Sequence, residues 1–321
     1  MSTAKKIWLF TAVSLILIGS LVFATAMAVN RWDFSKLSTV RFVTNTYSVS
    51  ESFSDISMEI VTADIVFAPS DDEKCKVVCY EPEKTAHSVS VRDGSLIIGA
   101  NDERKWYDFI CISIGSPKIT VYLPQSEYSA LVIKGTTGSI EIPDSFGFDR
   151  IDISISTGDV STFASASGDV VIKATTGDIK ADGITARSLD LTVTTGGIYV
   201  SDVHCAENLR IHTSTGDAKL IDVSCGDLIT RGTTGDVSLK NVIAAGKISV
   251  DRSTGNVTLI ASDASEIFVQ TSTGDVTGNL LSDKVFIARS ATGTVDVPKS
   301  VTGGRCEIST STGDIRIKVK P

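Results

Sequence analysis

Ser156-Thr157-Gly158-Asp159 is the first full copy of a turn motif that recurs through the second half of this 321-residue chain. The glycine of the motif returns in eight steps that cover 155 residues, so each step takes about 19 residues. This period is typical of solenoids, in which each repeat packs against its neighbours. The turn glycines are Gly158, Gly177, Gly196, Gly216, Gly235, Gly255, Gly274, Gly293 and Gly313.

An acidic residue follows most of these glycines. It is present at Asp159, Asp178, Asp217, Asp236, Asp275 and Asp314. Stacked carboxylates about 4.8 Å apart repel each other by roughly 0.9 kcal/mol per pair even in water. The column therefore requires backbone hydrogen bonds, solvent or a bound cation. A turn formed in every coil explains its full length best, and a calcium ladder on the same six aspartates is the alternative, although the nonapeptide GGxGxD repeat is absent.

Apolar residues fall into columns around each glycine with a period of two, which indicates strands with one buried face. The column two residues after the glycine begins with Val160, Ile179 and Ile198 and contains no charged residue. Helices are not expected in the repeats, because Thr, Val, Ile and Gly are poor helix formers. We predict an all-β fold, a single-stranded parallel β-solenoid that is right-handed by the usual crossover preference. Residues 146–321 form its regular part, and residues 41–145 form an irregular N-terminal part or cap.

The N-terminus carries a long apolar segment. Ile7 to Val29 contains no charged residue, and as a helix it would measure roughly 34 Å, enough to span a bilayer. Lys5 and Lys6 precede it, so residues 1–6 are expected in the cytoplasm and the rest of the chain outside, after a linker at 30–40. A cleaved signal peptide is the alternative, since Ala24-Thr25-Ala26 matches a small-x-small site. Both interpretations export the remainder of the chain.

Composition and the dispersed reactive residues exclude several classes of site. The net charge is -8 with no basic cluster in the folded part, so no nucleic-acid partner is expected. The cysteines at 75, 79, 111, 205, 225 and 306 show no CxxC or Cys/His spacing, which argues against zinc, and no cofactor is expected. Cys205 and Cys225 each follow a turn glycine by nine residues, and they are either a disulfide between adjacent coils or two buried thiols. The histidines, His87, His204 and His212, read as surface residues.

The two ends of a solenoid expose unpaired strand edges, which invite aggregation. The chain ends Arg316-Ile317-Lys318-Val319-Lys320-Pro321, where cations alternate with core residues before a proline. This pattern predicts that the last residues of the chain protect the C-terminal edge.

The order of these features resembles a known family, the bacterial "putative adhesin" domain of unknown function. The resemblance covers roughly residues 45–317 and includes the Ile60-Val61-Thr62-Ala63-Asp64-Ile65-Val66 start, the Tyr122-Leu123-Pro124 strand end and the repeats. It implies an envelope protein of all-β solenoid type that is often anchored by one helix. It supplies no catalytic residue and no ligand.

The sequence therefore favours a membrane-anchored, extracytoplasmic β-solenoid that binds or scaffolds without catalysis in the cell envelope. Its partners would be the membrane, through one helix, and an envelope polymer or surface protein. The alternative is an envelope carbohydrate-active enzyme of the β-helix type, which would need carboxylates clustered across several coils, usually with a basic residue or calcium. A groove that concentrates carboxylates, aromatic side chains and an arginine would distinguish the two.

Overall fold

A computed structural model describes residues 3–33, 38–100 and 115–319 of the chain. Cys111, Lys320 and Pro321, which entered the expectations above, lie outside these ranges, as do parts of the predicted N-terminus and linker. The first element is helix α1, Thr3–Val29. Its segment Lys5–Val29 is long and apolar enough to cross a membrane, with a mean hydropathy of 2.4, and a signal sequence would satisfy the same criterion.

The rest of the described chain is built from strands that join one continuous sheet. In chain order they are β1 Phe42–Val49, β2 Asp55–Thr62, β3 Asp64–Pro69, β4 Cys75–Pro82, β5 His87–Arg92, β6 Ser95–Ala100, β7 Lys118–Leu123, β8 Glu127–Thr137, β9 Ile140–Ile142, β10 Gly147–Thr157, β11 Val160–Thr162, β12 Ser165–Ala166, β13 Asp169–Thr176, β14 Ile179–Asp182, β15 Thr185–Ala186, β16 Ser188–Thr195, β17 Ile198–Cys205, β18 Asn208–Thr215, β19 Ala218–Cys225, β20 Asp227–Thr234, β21 Val237–Thr254, β22 Val257–Thr273, β23 Val276–Leu280, β24 Lys284–Thr292, β25 Val295–Asp296, β26 Gly304–Thr312 and β27 Ile315–Val319.

Parallel, in-register pairing of successive coils confirms the predicted solenoid. Strand β13 pairs with β10 and β16, so that Val170 lies between Ile151 and Leu189. After the corner, β14 pairs with β11 and β17 in the same way. Most residues of the inward columns are buried and form one continuous hydrophobic core along the solenoid, whereas Phe286, Ala288 and Val295 in residues 284–296 are partly or largely exposed. The right-handed sense of the coil stays a prediction.

Each coil turns at its corner glycine, and five successive coils turn again six residues later. The second corner holds residues with a positive φ close to that of a left-handed helix: Gly183, Asp202, Asp222, Asn241 and Ala261. Short polar residues and glycine adopt this conformation at low cost, which explains most members of the column. The first corner is more restrictive, because a Cβ atom on its glycines would lie about 2 Å from a carbonyl oxygen of the adjacent coil.

The N-terminal end of the solenoid departs from simple winding. Strand β2 pairs with β6 on one side and with β8 on the other, so β6 lies outside β2 although it comes later in the chain. In the same way, β3 lies between β7 and β9. Antiparallel strands then cover this end, with β5 on β6, β4 on β7, and β1 on β4. The irregular cap predicted for this region is thus continuous with the solenoid sheet.

The C-terminal end corrects the prediction about edge protection. Strand β26 pairs with β22 on one side and with β24 on the other, and β27 pairs with both β23 and β25. The last coil of the chain is therefore inserted between the two coils that precede it in sequence. The outermost strands at this end are β24 and β25. The cationic strand that contains Arg316 and Lys318 lies one position further in.

An ion pair crosses the inserted coil. Lys284 at the start of β24 is 3% exposed, and its Nζ lies 2.6 Å from Oδ1 of Asp263 on β22. Gly304 faces Lys284 across the strand pair between them. A Cβ on Gly304 would lie 1.8 Å from the carbonyl oxygen of Ser265, so only glycine fits there. The ion pair thus links the outermost coil, which begins with β24, to the coil of β22, with which it shares no strand pairing.

Candidate functional site

The aspartates of the first corner form a ladder of hydrogen bonds between coils. Asp159 Oδ1 accepts the backbone N–H of Asp178 at 2.8 Å, and Asp178 Oδ1 accepts that of Gly197 at 2.7 Å. The same bond, from a backbone N–H to a side-chain Oδ1 of the adjacent coil, recurs in five further pairs, given with the donor first: Asp236 to Asp217, Asn256 to Asp236, Asp275 to Asn256, Asp314 to Asp275 and Thr294 to Asp314. Each carboxylate thus has the backbone partner that offsets its repulsion from the next. The calcium ladder stays a prediction.

Asp159→Ala is expected to lower the free energy of unfolding by about 1 kcal/mol, because the N–H of Asp178 loses its acceptor. Asp159→Asn should change it by no more than a few tenths of a kcal/mol, since Asn256 Oδ1 performs the same role toward Asp275 at 2.9 Å. Urea denaturation with and without added calcium measures both. If Asp159→Asn lowered the free energy of unfolding as much as Asp159→Ala, but only in the presence of calcium, the aspartates would hold a cation.

The other residues singled out from sequence do not come together. Cys205 ends β17 and Cys225 ends its paired strand β19; both are buried, and burial raises the pKa of their thiols to about 11 and about 12. The disulfide between them stays a prediction. His204 and His212 are exposed, as expected. His87 is buried, so its assignment as a surface residue was wrong.

An open cleft of about 690 Å³ lies near the N-terminal end of the solenoid. Three connecting segments form its walls: 48–53 between β1 and β2, 72–76 between β3 and β4, and 124–128 between β7 and β8. The segments meet because β4 crosses back antiparallel to β1 and β7. Loops at one end of rigid strands are a common location for binding residues.

Aromatic rings form the floor of the cleft. Phe53 stacks on Tyr128 with ring centroids 6.0 Å apart, and Tyr128 lies against Phe148 at 5.8 Å. Tyr128 is buried and donates its hydroxyl to the carbonyl of Pro124 at 2.9 Å, which fixes the ring. Phe53 is half-buried and presents part of its ring to the cleft. Such a surface suits the apolar face of a sugar ring or another flat group.

The rim of the cleft is polar and carries both signs of charge. Four serines line it with three acidic residues and two lysines: Ser48, Ser50, Ser52, Ser126, Glu51, Asp72, Glu73, Lys74 and Lys76. The Ser70 hydroxyl, which donates to Asp72 at 2.8 Å, holds the pKa of that carboxyl below its ordinary value, helped by Lys74. A general acid for glycoside cleavage needs a raised pKa. Asp72 is therefore suited to accept hydrogen bonds and not to donate a proton.

Sequence reasoning missed this cleft because its residues belong to three segments that are far apart along the chain. Runs of alternating serine, such as Ser48-Val49-Ser50-Glu51-Ser52, read as ordinary loop composition. The one available signal was the position of Phe53, an aromatic residue directly after this polar run. The antiparallel path of β4, which brings the segments together, has no clear sequence signature.

Comparison with known proteins gives a family match over most of the chain. The family model described as Toastrack DUF4097 matches residues 53–318. This confirms the resemblance inferred from the order of sequence features. No curated protein matches the chain.

Several solved structures match most of the chain at low sequence identity. A "putative adhesin" from Bacteroides fragilis is 14% identical, with 87% of this chain and 97% of that chain covered and a TM-score of 0.39. A "putative lipid binding protein" from Parabacteroides distasonis is 14% identical with the same coverage and a TM-score of 0.45. A "putative cell adhesion protein" from Clostridium sporogenes is 12% identical, with 87% and 100% covered and a TM-score of 0.21.

Proposed function

Because the chain belongs to the Toastrack DUF4097 family, a domain family of unknown function, we propose its role from its own geometry: a non-catalytic binding protein of the cell envelope. Its ligand would be an envelope polymer, with hydroxyl-rich glycan as the favoured class. The observation that carries the proposal is the cleft between residues 48 and 128, which joins an aromatic floor to a serine-rich rim.

The chemistry of the cleft supports a glycan. The ring of Phe53 offers a flat apolar surface, and Tyr128 beneath it cannot rotate away because its hydroxyl is bonded to Pro124. Serine hydroxyls around the floor can donate hydrogen bonds to sugar hydroxyls and accept them, and the carboxylates can accept them. The cleft is open, so a long polymer can cross it without threading. A rigid solenoid would hold these groups in place without a large ordering cost on binding.

Three features of the described residues support binding without catalysis. The corner aspartates are engaged in the ladder of backbone hydrogen bonds along the solenoid. In the cleft, the pKa of Asp72 is lowered, which is the wrong direction for a general acid. The cations of the cleft are Lys74 and Lys76, without an arginine among the described lining residues. Lys76 also lies 4.5 Å from the ring centre of Tyr122, which holds it at the wall.

The proposed location follows from helix α1. It serves as an uncleaved single-pass anchor, with Lys5 and Lys6 on the cytoplasmic side and the solenoid outside. The cleft would then lie at the end of the solenoid nearest the anchor, since β1 follows the linker at 30–40. An envelope polymer close to the membrane would be within its reach.

Phe53→Ala in the full chain is expected to weaken glycan binding about tenfold, because an aromatic contact contributes about 1.4 kcal/mol. The measurement is a glycan array on the detergent-solubilised full chain, followed by calorimetry with the best-binding oligosaccharide. The matched control is Phe163→Ala. Phe163 is also half-buried and lines a different hollow with acidic residues and Gly183.

Two results would contradict this proposal. One is the absence of binding to any envelope polysaccharide or its fragments. The other is an equal loss of affinity in the Phe53 and Phe163 variants, which would show that the cleft is not the site. Release of shorter oligosaccharides during incubation would favour the carbohydrate-active enzyme instead.

A further inference from the structure

Three buried side chains with metal-binding groups meet beneath the N-terminal strands, outside the cleft. Cys79 and Glu81 are both fully buried, and His87 is 6% exposed. A ligand atom from each, the sulfur of Cys79, a carboxylate oxygen of Glu81 and a ring nitrogen of His87, lies within 4.8 Å of the other two. Among the described residues, this is the one group of three or more such side chains that could hold a metal ion.

The local fold explains how they come together. Cys79 and Glu81 are two residues apart on β4, so they point to the same inward face. A short helical turn, Glu83–Thr85, then reverses the chain and places His87 at the start of β5. The backbone N–H of His87 donates to Glu81 Oε2 at 2.9 Å, which fixes the two ends of this turn together.

Neighbouring residues that are not ligands hold the group in position. Asn45 Nδ2 donates to Glu81 Oε1 at 2.7 Å, and the hydroxyl of Tyr47 donates to the backbone carbonyl of His87 at 2.7 Å. Both residues lie on β1, which pairs with β4 so that Asn45 faces Cys79. Orienting hydrogen bonds of this kind are the usual second layer of a metal site.

A structural ion pair explains only two members of the group. His87 Nδ1 contacts Glu81 Oε2, and a buried carboxylate needs such a partner. Cys79 takes no part in that pair, although its sulfur lies within 4.8 Å of the ligand atoms of both residues. A single cation among them would contact all three groups at once.

We propose that Cys79, Glu81 and His87 bind one Zn²⁺ ion. Sulfur, nitrogen and oxygen donors together suit this borderline-soft ion, and three protein ligands leave a fourth position for water or another donor. The charges of Zn²⁺, one thiolate, one carboxylate and one neutral imidazole sum to zero, as burial requires. On binding, the S–H bond of Cys79 breaks and a zinc–sulfur bond forms, and an imidazolium at His87 gives up one ring proton to become the neutral ligand; both protons go to solvent, without oxidation or reduction.

The site escapes the usual sequence search for zinc, which looks for paired cysteines or histidines at fixed short spacings. Here the pattern is Cys-x-Glu on one strand, followed by a histidine after a reversal. The sequence-based expectation that zinc is improbable is therefore replaced by this proposal. It is independent of the cleft, which shares no ligand residue with the site.

The test uses the untagged full chain in detergent, stripped with a chelator and titrated with Zn²⁺ against a competing chromophoric chelator. One equivalent should bind with high affinity. Cys79→Ser should weaken that binding about 100-fold or more, since even second-layer substitutions cost 10- to 100-fold. Cys225→Ser is the matched control, a buried thiol without a histidine or glutamate in a ligand group with it, and it should bind zinc like the unaltered chain.

Cobalt gives a second measurement that needs no variant and therefore does not depend on the folding of one. Co²⁺ added to the unaltered chain should produce a thiolate-to-metal charge-transfer band, and Zn²⁺ should abolish it. Zn²⁺ should also raise the urea midpoint of the unaltered and Cys225→Ser chains. The proposal is overturned if no such band appears, if less than one equivalent binds, or if the two serine variants bind zinc equally well.

Discussion

Replacing Gly235 with alanine is expected to lower the free energy of unfolding by about 4 kcal/mol or more, the range of severe single substitutions. Gly235 has a φ of +127°, which residues with a side chain rarely adopt. Its added Cβ would lie 2.1 Å from the carbonyl oxygen of Gly216 in the adjacent coil. The atoms that this Cβ meets, the carbonyl oxygen and carbon of Gly216, belong to the backbone and cannot rotate away. The clash is therefore relieved only by separating two coils that pair on both sides of the corner.

Gly183→Ala is the control for this substitution. Gly183 also has a positive φ, +68°, but a Cβ there meets nothing within 4 Å. Alanine already occupies the equivalent position in a later coil, where Ala261 has a φ of 49°. The cost should be about 1 kcal/mol. Urea denaturation followed by circular dichroism compares the two, and equal losses would mean that conformational strain, and not contact between coils, requires glycine at the first corner.

Deleting residues 304–321 is expected to unfold residues 284–296 together with the part removed. Strand β24 pairs only with β26 among the described strands, and β25 pairs only with β27. Without the inserted coil, residues 284–296 lose every strand partner, and the Lys284–Asp263 ion pair alone cannot hold them. Limited proteolysis with intact-mass measurement should show cleavage back to about residue 283.

Deleting residues 284–303 is the matched experiment. It removes 20 residues and leaves Gly274 and Gly313 19 residues apart, which is the regular period. Strand β26 already pairs with β22, so the shortened chain should close in simple order and stay resistant to protease through residue 319. Coils stacked in chain order would give the opposite outcome, with residues 284–296 protected in the first deletion and residues 304–319 exposed in the second.

The repeated part of the fold could be predicted because two independent patterns agree there. The columns around Val160 and Ile179 alternate with a period of two, and the corner glycine recurs at a fixed interval. Stacking was then the only way to bury every inward face. The ladder of aspartates also followed, since a charged column of that length required a partner in every coil.

The order of the final coils could not be predicted from the same patterns. Coils that carry the same columns can pair with one another in any order, so the sequence of β26 fits beside β22 as well as the sequence of β24 does. Two local signals were present. Gly303 and Gly304 carry no side chains, which leaves room for the Lys284 side chain to pass over them. Lys284 itself occupies an inward, buried position, where a lysine requires an acidic partner from another coil.

The buried group at Cys79 was missed for a different reason. Its residues are close in sequence, but a search for known zinc spacings assumes ligands on loops or helices. The alternation in β4 makes Cys75, Val77, Cys79 and Glu81 an inward column, and a glutamate at its end is an anomaly. A buried acidic residue in a strand column, followed by a histidine after a turn, was the signal to pursue.

The inserted coil also bears on how the chain is made. From Glu127 to Leu280 the coils stack in chain order, so a polypeptide that emerges N-terminus first can wind them as they are made. Residues 284–296 must then wait, because the strands that receive them, β26 and β27, lie in residues 304–319, which follow them in the chain. This end of the solenoid is therefore completed only after residues 304–319 have emerged, and a product that stops before them is left with an open strand edge that quality-control proteases can recognise.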